Sequence, residues 1–250
     1  FAEKIEHIFL TLPYYNDIII SNINSIKARD MKEEITNNKR CAYSEGRGKN
    51  SGRIVLHADL NNFFASVECF ESGDPEMWEK PVAVCGDSEM RHGIVLAKNE
   101  KAKFFGVKTG ETILEAKKKC PRLITVKARH ELYMRYARAA RKIYLRYSDR
   151  VEPFGMDEAW IELTGCPGIR TIEDGRKTAD EIREKIKNEL GITVSVGVSD
   201  NKVFAKLGSD YKKPDATTVF SPAEYDSVIS KIPVSEVLYV GKNTAARLKS

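Results

Sequence analysis

The sequence predicts an α+β fold, an antiparallel sheet backed by two helices, and three stretches carry that expectation. Residues 53–58 (RIVLHA) alternate as a strand does, with Ile54, Leu56 and Ala58 on one face. Residues 130–147 (HELYMRYARAARKIYLRY) form a basic amphipathic helix in which Leu132, Tyr136, Ala140, Ile143 and Tyr147 recur at helical spacing. Thr171 with Asp174 resembles a capping box, Ile182, Ile186 and Leu190 give the helix behind it a buried stripe, and Gly191 ends it; residues 192–198 (ITVSVGV) then alternate as a strand. These pieces suit a ferredoxin-like arrangement of strands and helices.

The 250 residues are enough for one large domain or two small ones. With 31% charged and 42% hydrophobic residues, the composition is that of an ordinary soluble globular protein. A net charge of +5 is compatible with a polyanionic partner without demanding one. Cys41, Cys69, Cys85, Cys120 and Cys166 are odd in number and form no C-x-x-C pair, which favours reduced intracellular thiols over a disulfide or zinc framework. No apolar run approaches the length of a membrane span, and FLTLP near the start is too short for a signal-peptide core. The expectation is a cytoplasmic protein without a membrane partner.

The chain opens on Phe1 rather than Met and reads as a fragment or a trimmed product. Residues 1–38 carry Ile5, Ile8, Phe9 and Leu12 at helical spacing, and residues 39–52 (KRCAYSEGRGKNSG) read as a polar, Gly-rich linker. The first strand then ends at Asp59; Asn61 and Asn62 make a turn, and Phe63 and Phe64 begin a helix. An Asp at the carboxyl end of a strand, before a turn and a helix start, sits where α/β proteins place ligands, and the turn's N–H groups suit phosphate oxygens. A plain N-cap is the other reading of Asp59.

Further along, GMDEAWIEL (residues 155–163) sets the adjacent acids Asp157 and Glu158 in an apolar, strand-like run. Repulsion and desolvation both oppose such a pair unless positive charge lies between the carboxylates. A divalent cation such as Mg²⁺, which takes carboxylate and phosphate oxygens together, would supply it. A hairpin turn with two solvated acids is the alternative.

HADLNNFFASVE, GMDEAWIEL and SVGVSDNKVFAKLGSDYKKPD (residues 195–215), in this order, closely resemble the Y-family translesion DNA polymerases, most of all their DNA polymerase IV branch. The resemblance runs from about residue 53 to the end of the chain. It implies a polymerase palm at 53–62 and 130–220, a small α/β fingers insertion at 63–129 and the start of a helical thumb at 221–250, with residues 1–52 an extension of unassigned role. The implied activity is low-fidelity, template-directed addition of deoxynucleotides to a primer 3′-hydroxyl, with two Mg²⁺ ions as cofactors. Its implied partners are primer–template DNA, a deoxynucleoside triphosphate and a sliding clamp reached through a segment beyond residue 250, the protein being a monomer. An inactive DNA-binding remnant and a palm-fold nucleotide cyclase are the alternatives.

Carried over residue by residue, the metal ligands are Asp59, Asp157, Glu158 and the main-chain carbonyl of Leu60, the three acids being the catalytic residues. The N–H groups of Phe63 and Phe64 would meet triphosphate oxygens, and the ring of Phe64 would bar a 2′-hydroxyl. Lys103 and Lys213 would reach the triphosphate; Lys202 and Lys206 are ambiguous, surface helix lysines being the plainer reading. Three positions depart from the family's pattern. Glu100 stands where a phosphate-contacting Tyr is usual, and Lys103 replaces an Arg, keeping the charge without the bidentate fork. In LYVGKNTAARLK, half of a helix-hairpin-helix that would offer N–H groups to a DNA phosphate, Tyr239 takes the place of the first glycine and Gly241 alone remains.

Overall fold

The computed structural model describes residues 52–86 and 93–249, so the helix expected within 1–38 and nearly all of the linker lie outside the described residues. In chain order the elements are β1 (Val55–Leu60), α1 (Phe63–Glu71), β2 (Val82–Cys85), β3 (Val95–Lys98), α2 (Glu100–Phe104), α3 (Ile113–Lys119), β4 (Ile124–Lys127), α4 (His130–Tyr144), β5 (Val151–Phe154), β6 (Glu158–Glu162), α5 (Ile172–Leu190), β7 (Val194–Ser199), α6 (Lys202–Tyr211), β8 (Thr217–Val219), α7 (Tyr225–Ile229) and α8 (Lys242–Lys249). Short 3₁₀ turns join some of them.

The strands form two sheets, one of order β5-β6-β1-β7-β8 and one of order β3-β2-β4. In the larger sheet β1 is central and antiparallel to both β6 and β7. The expected all-antiparallel sheet fails at one edge, where β8 runs parallel to β7. The cause is α6, a crossover helix that returns the chain to the starting end of the sheet before β8 begins.

Strand β1 continues through Leu60, one residue past the end expected at Asp59, and all six of its residues are buried. Helices cover both faces of the sheet, so no polar face is left on β1. On one side Leu56, Ala58, Ile161, Val196 and Val198 pack with Leu132, Ala140 and Ile143 of α4 and with Ala179, Ile182 and Ile186 of α5. On the other side Val55 and Trp160 pack with Ala205 of α6. Helix α5 starts and stops as its sequence indicates. The Thr171 hydroxyl accepts from the Asp174 N–H at 3.2 Å, the Asp174 carboxylate accepts from the Thr171 N–H at 2.9 Å, and Gly191 closes the helix at φ 66°. Helix α4 ends at Tyr144, short of Tyr147; of the expected stripe it buries Leu132, Ala140 and Ile143, with Tyr136 half-buried, and it also buries Tyr133, Ala137 and Tyr144.

Helix α6 lies unusually close to the sheet. A Cβ on Gly197 of β7 would sit 1.9 Å from the Ala205 carbonyl oxygen and 2.5 Å from the Ser209 nitrogen, while one on Gly208 would sit 3.0 Å from the Gly197 Cα. Two facing glycines thus let helix backbone rest on strand backbone. The smaller sheet has a core of its own, built from Ala83, Cys85, Val95, Ala102, Val107, Ala116, Cys120 and Leu123.

Cys69, Cys85 and Cys120 are buried free thiols. Cys166 is disulfide-bonded, a departure from the expectation of reduced thiols throughout. Whether two cysteines pair depends on which Cα atoms meet in space, which sequence spacing alone does not reveal. Among the described residues no helix is long and apolar enough to cross a membrane.

Because the contact at Gly197 is with helix backbone, it cannot be relieved by a side-chain rotation. Gly197→Ala is expected to cost about 2–3 kcal/mol through overpacking. Urea unfolding at neutral pH measures this, and a loss below about 0.5 kcal/mol would mean that α6 can lift away freely.

Candidate active site

The site begins with strand register. Asp59 of β1 stands directly opposite Glu158 of β6, and the preceding pair is Ala58 opposite Ala159. Residues opposed in this way share one face of a sheet, with Cβ atoms roughly 5 Å apart. One step further the Leu60 N–H donates to the Asp157 carbonyl at 3.0 Å, which fixes the turn carrying the second acid beside the first strand. Asp157 lines a small cleft with Leu60, Ala137, Ala140, Arg141, Tyr144 and Met156. Register and this hydrogen bond thus bring the three acid-bearing positions to one end of the sheet from segments about a hundred residues apart.

Two lysines complete the cluster. The Lys206 ammonium lies 3.0 Å from Asp59 Oδ2, 2.6 Å from Glu158 Oε2 and 3.2 Å from Asp210 Oδ2. The Lys213 ammonium lies 2.6 Å from Asp59 Oδ2 and 2.8 Å from Asp210 Oδ1. The ambiguity of Lys206 resolves away from a surface lysine: its side chain is only 15% exposed. The close seat of α6 on Gly197 presses this face of the helix against the acids, an effect invisible in helical spacing. Lys202 does match its surface reading; it pairs with Glu152 and lies 5.1 Å above the Trp160 ring.

His57 is a site residue that motif reasoning passed over. It is fully buried, with Nε2 3.2 Å from Glu158 Oε2 and Nδ1 2.8 Å from Ser209 Oγ. The Ser209 hydroxyl lies between His57 Nδ1 and the Lys206 carbonyl, 2.7 Å from the latter. The available signal was its parity, since His57 shares the face of β1 with Asp59, and a polar residue on the covered face of a strand calls for a partner.

Charge is unevenly settled here. Burial, and then the charge of Asp59, push the Asp157 carboxyl up to about 6. Burial acts on Glu158 in the same direction, but the neighbouring His57 and Lys206 outweigh it and hold this carboxyl at about 2. Burial lowers His57. For Lys206 and Lys213 burial works against the charged form, and the charge of Asp59 overcomes it, so both are raised.

Among the described residues no three His, Cys, Asp or Glu side chains already converge as a metal-ligand cluster. The two ammonium groups occupy the ground between the acids instead. In kind and charge the residues still fit a hard divalent cation. Asp59, Asp157 and Glu158 are all oxygen donors. Asp157 makes no ion pair among the described residues, and burial together with the charge of Asp59 raises its carboxyl.

The turn after β1 places the remaining expected residues. Asn62 takes the left-handed conformation at φ 48° and does not cap α1. Its side-chain amide donates to Glu100 Oε1 at 3.1 Å, and the Lys103 ammonium is 3.6 Å from the same oxygen. Glu100 and Lys103 therefore face this turn, and the Glu100 charge is shared between an amide and an ammonium. Phe64 stacks on Tyr133 with ring centroids 4.2 Å apart and planes at 13°. The Tyr133 hydroxyl donates to Glu68 at 2.5 Å, and Arg129 donates to both Glu68 oxygens at 3.0 and 3.1 Å. Gly241 lies away in sequence, ahead of α8, where its carbonyl accepts from the Ala245 N–H at 2.9 Å. Tyr239 holds φ 67°, the backbone region that a glycine would take at no cost.

The raised Asp157 carboxyl has a consequence for stability. A carboxyl whose folded pKa lies above its unfolded value penalises the folded state once pH exceeds the unfolded pKa near 4, and the penalty is complete above about 6. Two units correspond to about 3 kcal/mol at most, and partial exposure reduces this to roughly 1–2 kcal/mol. With metal chelated, Asp157→Asn is expected to stabilise the protein by that amount at pH 8 and to change nothing at pH 4. Urea titrations at the two pH values check it; equal effects at both would remove the unbalanced charge from Asp157.

Comparison with known proteins agrees with this geometry. A model of the impB/mucB/samB family matches residues 58–210, which hold all three acids and Lys206. DNA polymerase IV of Acetivibrio thermocellus is 57% identical over 198 residues, covering 79% of this chain and 49% of that protein. Among solved structures, the insertion ternary complex of Dbh DNA polymerase superposes with a TM-score of 0.73 at 31% identity, covering 78% of this chain and 57% of that one. A Y-family DNA polymerase chimera of Dbh and Dpo4 superposes at 0.71 and 31%, covering 78% and 57%. The chain spans about half the length of the curated relatives it matches. With register, acids and family match in agreement, this chain belongs to the impB/mucB/samB family, that of the Y-family polymerases its motifs resemble.

Proposed function

We propose that this chain carries the catalytic core of a translesion DNA polymerase of the DNA polymerase IV type, extending a primer 3′-hydroxyl with deoxynucleotides on a DNA template. The observation that carries the proposal is the placement of Asp59, Asp157 and Glu158 at one end of the sheet, with Lys206 against Asp59 and Glu158 and Lys213 against Asp59. The similarity to a solved relative, the insertion ternary complex of Dbh DNA polymerase, supports it.

Asp59, Asp157, Glu158 and the Leu60 carbonyl would hold the divalent cations, with Mg²⁺ the expected identity. When bound, such ions lower the pKa of an attacking hydroxyl and neutralise charge on a triphosphate and its leaving group. The chain's own residues do the positioning. The first-turn N–H groups of α1, including those of Phe63 and Phe64, receive no side-chain cap from Asn62 and so remain available to phosphate oxygens. Lys213, on the segment after α6, supplies a point charge within reach of the same acids, and Lys103 supplies another from α2. The Asn62–Glu100 hydrogen bond keeps α2 beside the turn, so Glu100 acts as a latch between the two sheets rather than as a bare carboxylate facing phosphate.

Phe64 serves as the sugar gate. Its ring is held flat against Tyr133, which is itself tied through Glu68 to Arg129, and a gate discriminates only if it cannot retreat. The larger sheet with α4, α5 and α6 acts as palm, the smaller sheet with α2 and α3 as fingers, and the segment from residue 221 as the start of a thumb that places Gly241 against a DNA phosphate.

Two substitutions test the proposal. Asp157→Ala and Glu158→Ala are each expected to lower primer extension by at least about a thousandfold, since charge neutralisation carries the rate. Circular dichroism should report an unchanged fold, and a well-folded Asp157→Ala protein that still extends primers would refute the assignment. Phe64→Ala is expected to relax discrimination against ribonucleotides by about tenfold or more, measured as the ratio of kcat/KM values for the two sugars. An unchanged ratio would make Phe64 a core aromatic only.

A further inference from the structure

Lys206 touches more of the site than any motif assigned to it. Its ammonium reaches acids on two different strands, Asp59 on β1 at 3.0 Å and Glu158 on β6 at 2.6 Å. Lys213 reaches only the first of these. The Lys206 backbone cannot withdraw, because Ala205 and Ser209 on either side are pressed against Gly197. Its side chain, however, has a second place to go. Asp210, one helical turn along, lies 3.2 Å from the same ammonium and is much more exposed than Asp59. The lysine is thus anchored by backbone contact, shared between two opposed carboxylates, and provided with a third acid on the solvent side.

We infer that Lys206 is a built-in counter-ion of the metal site: it holds Asp59 and Glu158 together in the metal-free protein and cedes that balance, towards Asp210, when a divalent cation enters. Lys206 is a positioning residue and not a ligand. Like charges opposed across a strand pair repel, and a buried charge stripped of its partner is costly. The ammonium removes both penalties until the cation takes over. This rests on the metal reading proposed above and adds to it a prediction about the metal-free state. A lysine that competes with the cation for the same carboxylates must also weaken the binding of that cation.

The test is thermal unfolding of the 250-residue chain with excess chelator and with saturating Mg²⁺, together with calorimetry of Mn²⁺ binding in the absence of nucleotide and DNA. For Lys206→Met the expected result is a clearly lowered Tm in chelator, most of it recovered in Mg²⁺, and Mn²⁺ binding about tenfold tighter than in the unsubstituted protein. Lys206→Arg, which keeps the charge, should restore the chelator Tm. Lys206→Gln, which loses only the charge, is measured alongside and carries the same outcomes, so that misfolding of the Met variant does not decide the question. A Tm loss equal in chelator and in Mg²⁺, or no loss at all, with Mn²⁺ affinity unchanged, would make Lys206 an ordinary structural ion pair and overturn the inference. Failure of the unsubstituted chain to bind Mn²⁺ would overturn the metal reading itself, and the two failures are told apart by that control.

Discussion

Two carboxylates that should repel are set face to face by strand register, and much of the structure answers that one constraint. Asp59 and Glu158 are opposed across the β1–β6 pair. At an effective dielectric of about 20, like charges roughly 5 Å apart cost about 3 kcal/mol. A penalty of that size is a large fraction of a domain's net stability, so the fold must supply positive charge at this point. It does so twice from one segment, with Lys206 in α6 and Lys213 just beyond it. It also buries His57 against the same Glu158 oxygen.

The placement of that charge depends on the packing of α6. Packed layers normally stand apart, as stacked sheets do at about 10 Å, with side chains filling the gap. Here glycine faces glycine, and the Ala205 carbonyl comes where a Cβ of residue 197 would be. A lysine chain springing from a helix set so low has its ammonium at the level of the strand-end carboxylates instead of above them. The Gly197 contact and the acid cluster are therefore one design. The first creates the proximity, and the second makes use of it.

A second linked set holds the turn beyond β1. Buried Glu68 takes the Tyr133 hydroxyl and the Arg129 guanidinium together, so its charge is satisfied from two sides. Breaking such a pair costs far more than the pair contributes, which makes it a rigid support more than a source of stability. Tyr133 passes that rigidity to Phe64 by stacking. On the other side of the turn, Asn62 gives up its capping role to reach Glu100, joining the turn to α2. The departure from the family's usual Tyr thus has a local structural use: the carboxylate accepts a bond from the residue that precedes Phe63.

Local structure was largely legible in the sequence. Period-two alternation marked β1 and β7, the Thr171–Asp174 box and Gly191 bounded α5, and the resemblance of three ordered motifs to the Y-family polymerases pointed to the family and, through it, to the acids. These signals are local, or depend on motif order, and so survive without coordinates. What the sequence could not show was set by contacts between distant segments. Lys206 carries the same helical periodicity as Lys202, and only the depth of α6 on Gly197 separates a buried counter-ion from a surface lysine. His57 looked like one more strand residue until helices covered both faces of β1. Glu100 read only as a departure from a usual Tyr, and its bond from Asn62, thirty-eight residues earlier, is a tertiary contact. The pairing of Cys166 and the parallel edge of β8 belong with these. In each case the residue type and local pattern were plain, and its electrostatic or packing partner was chosen by the tertiary fold.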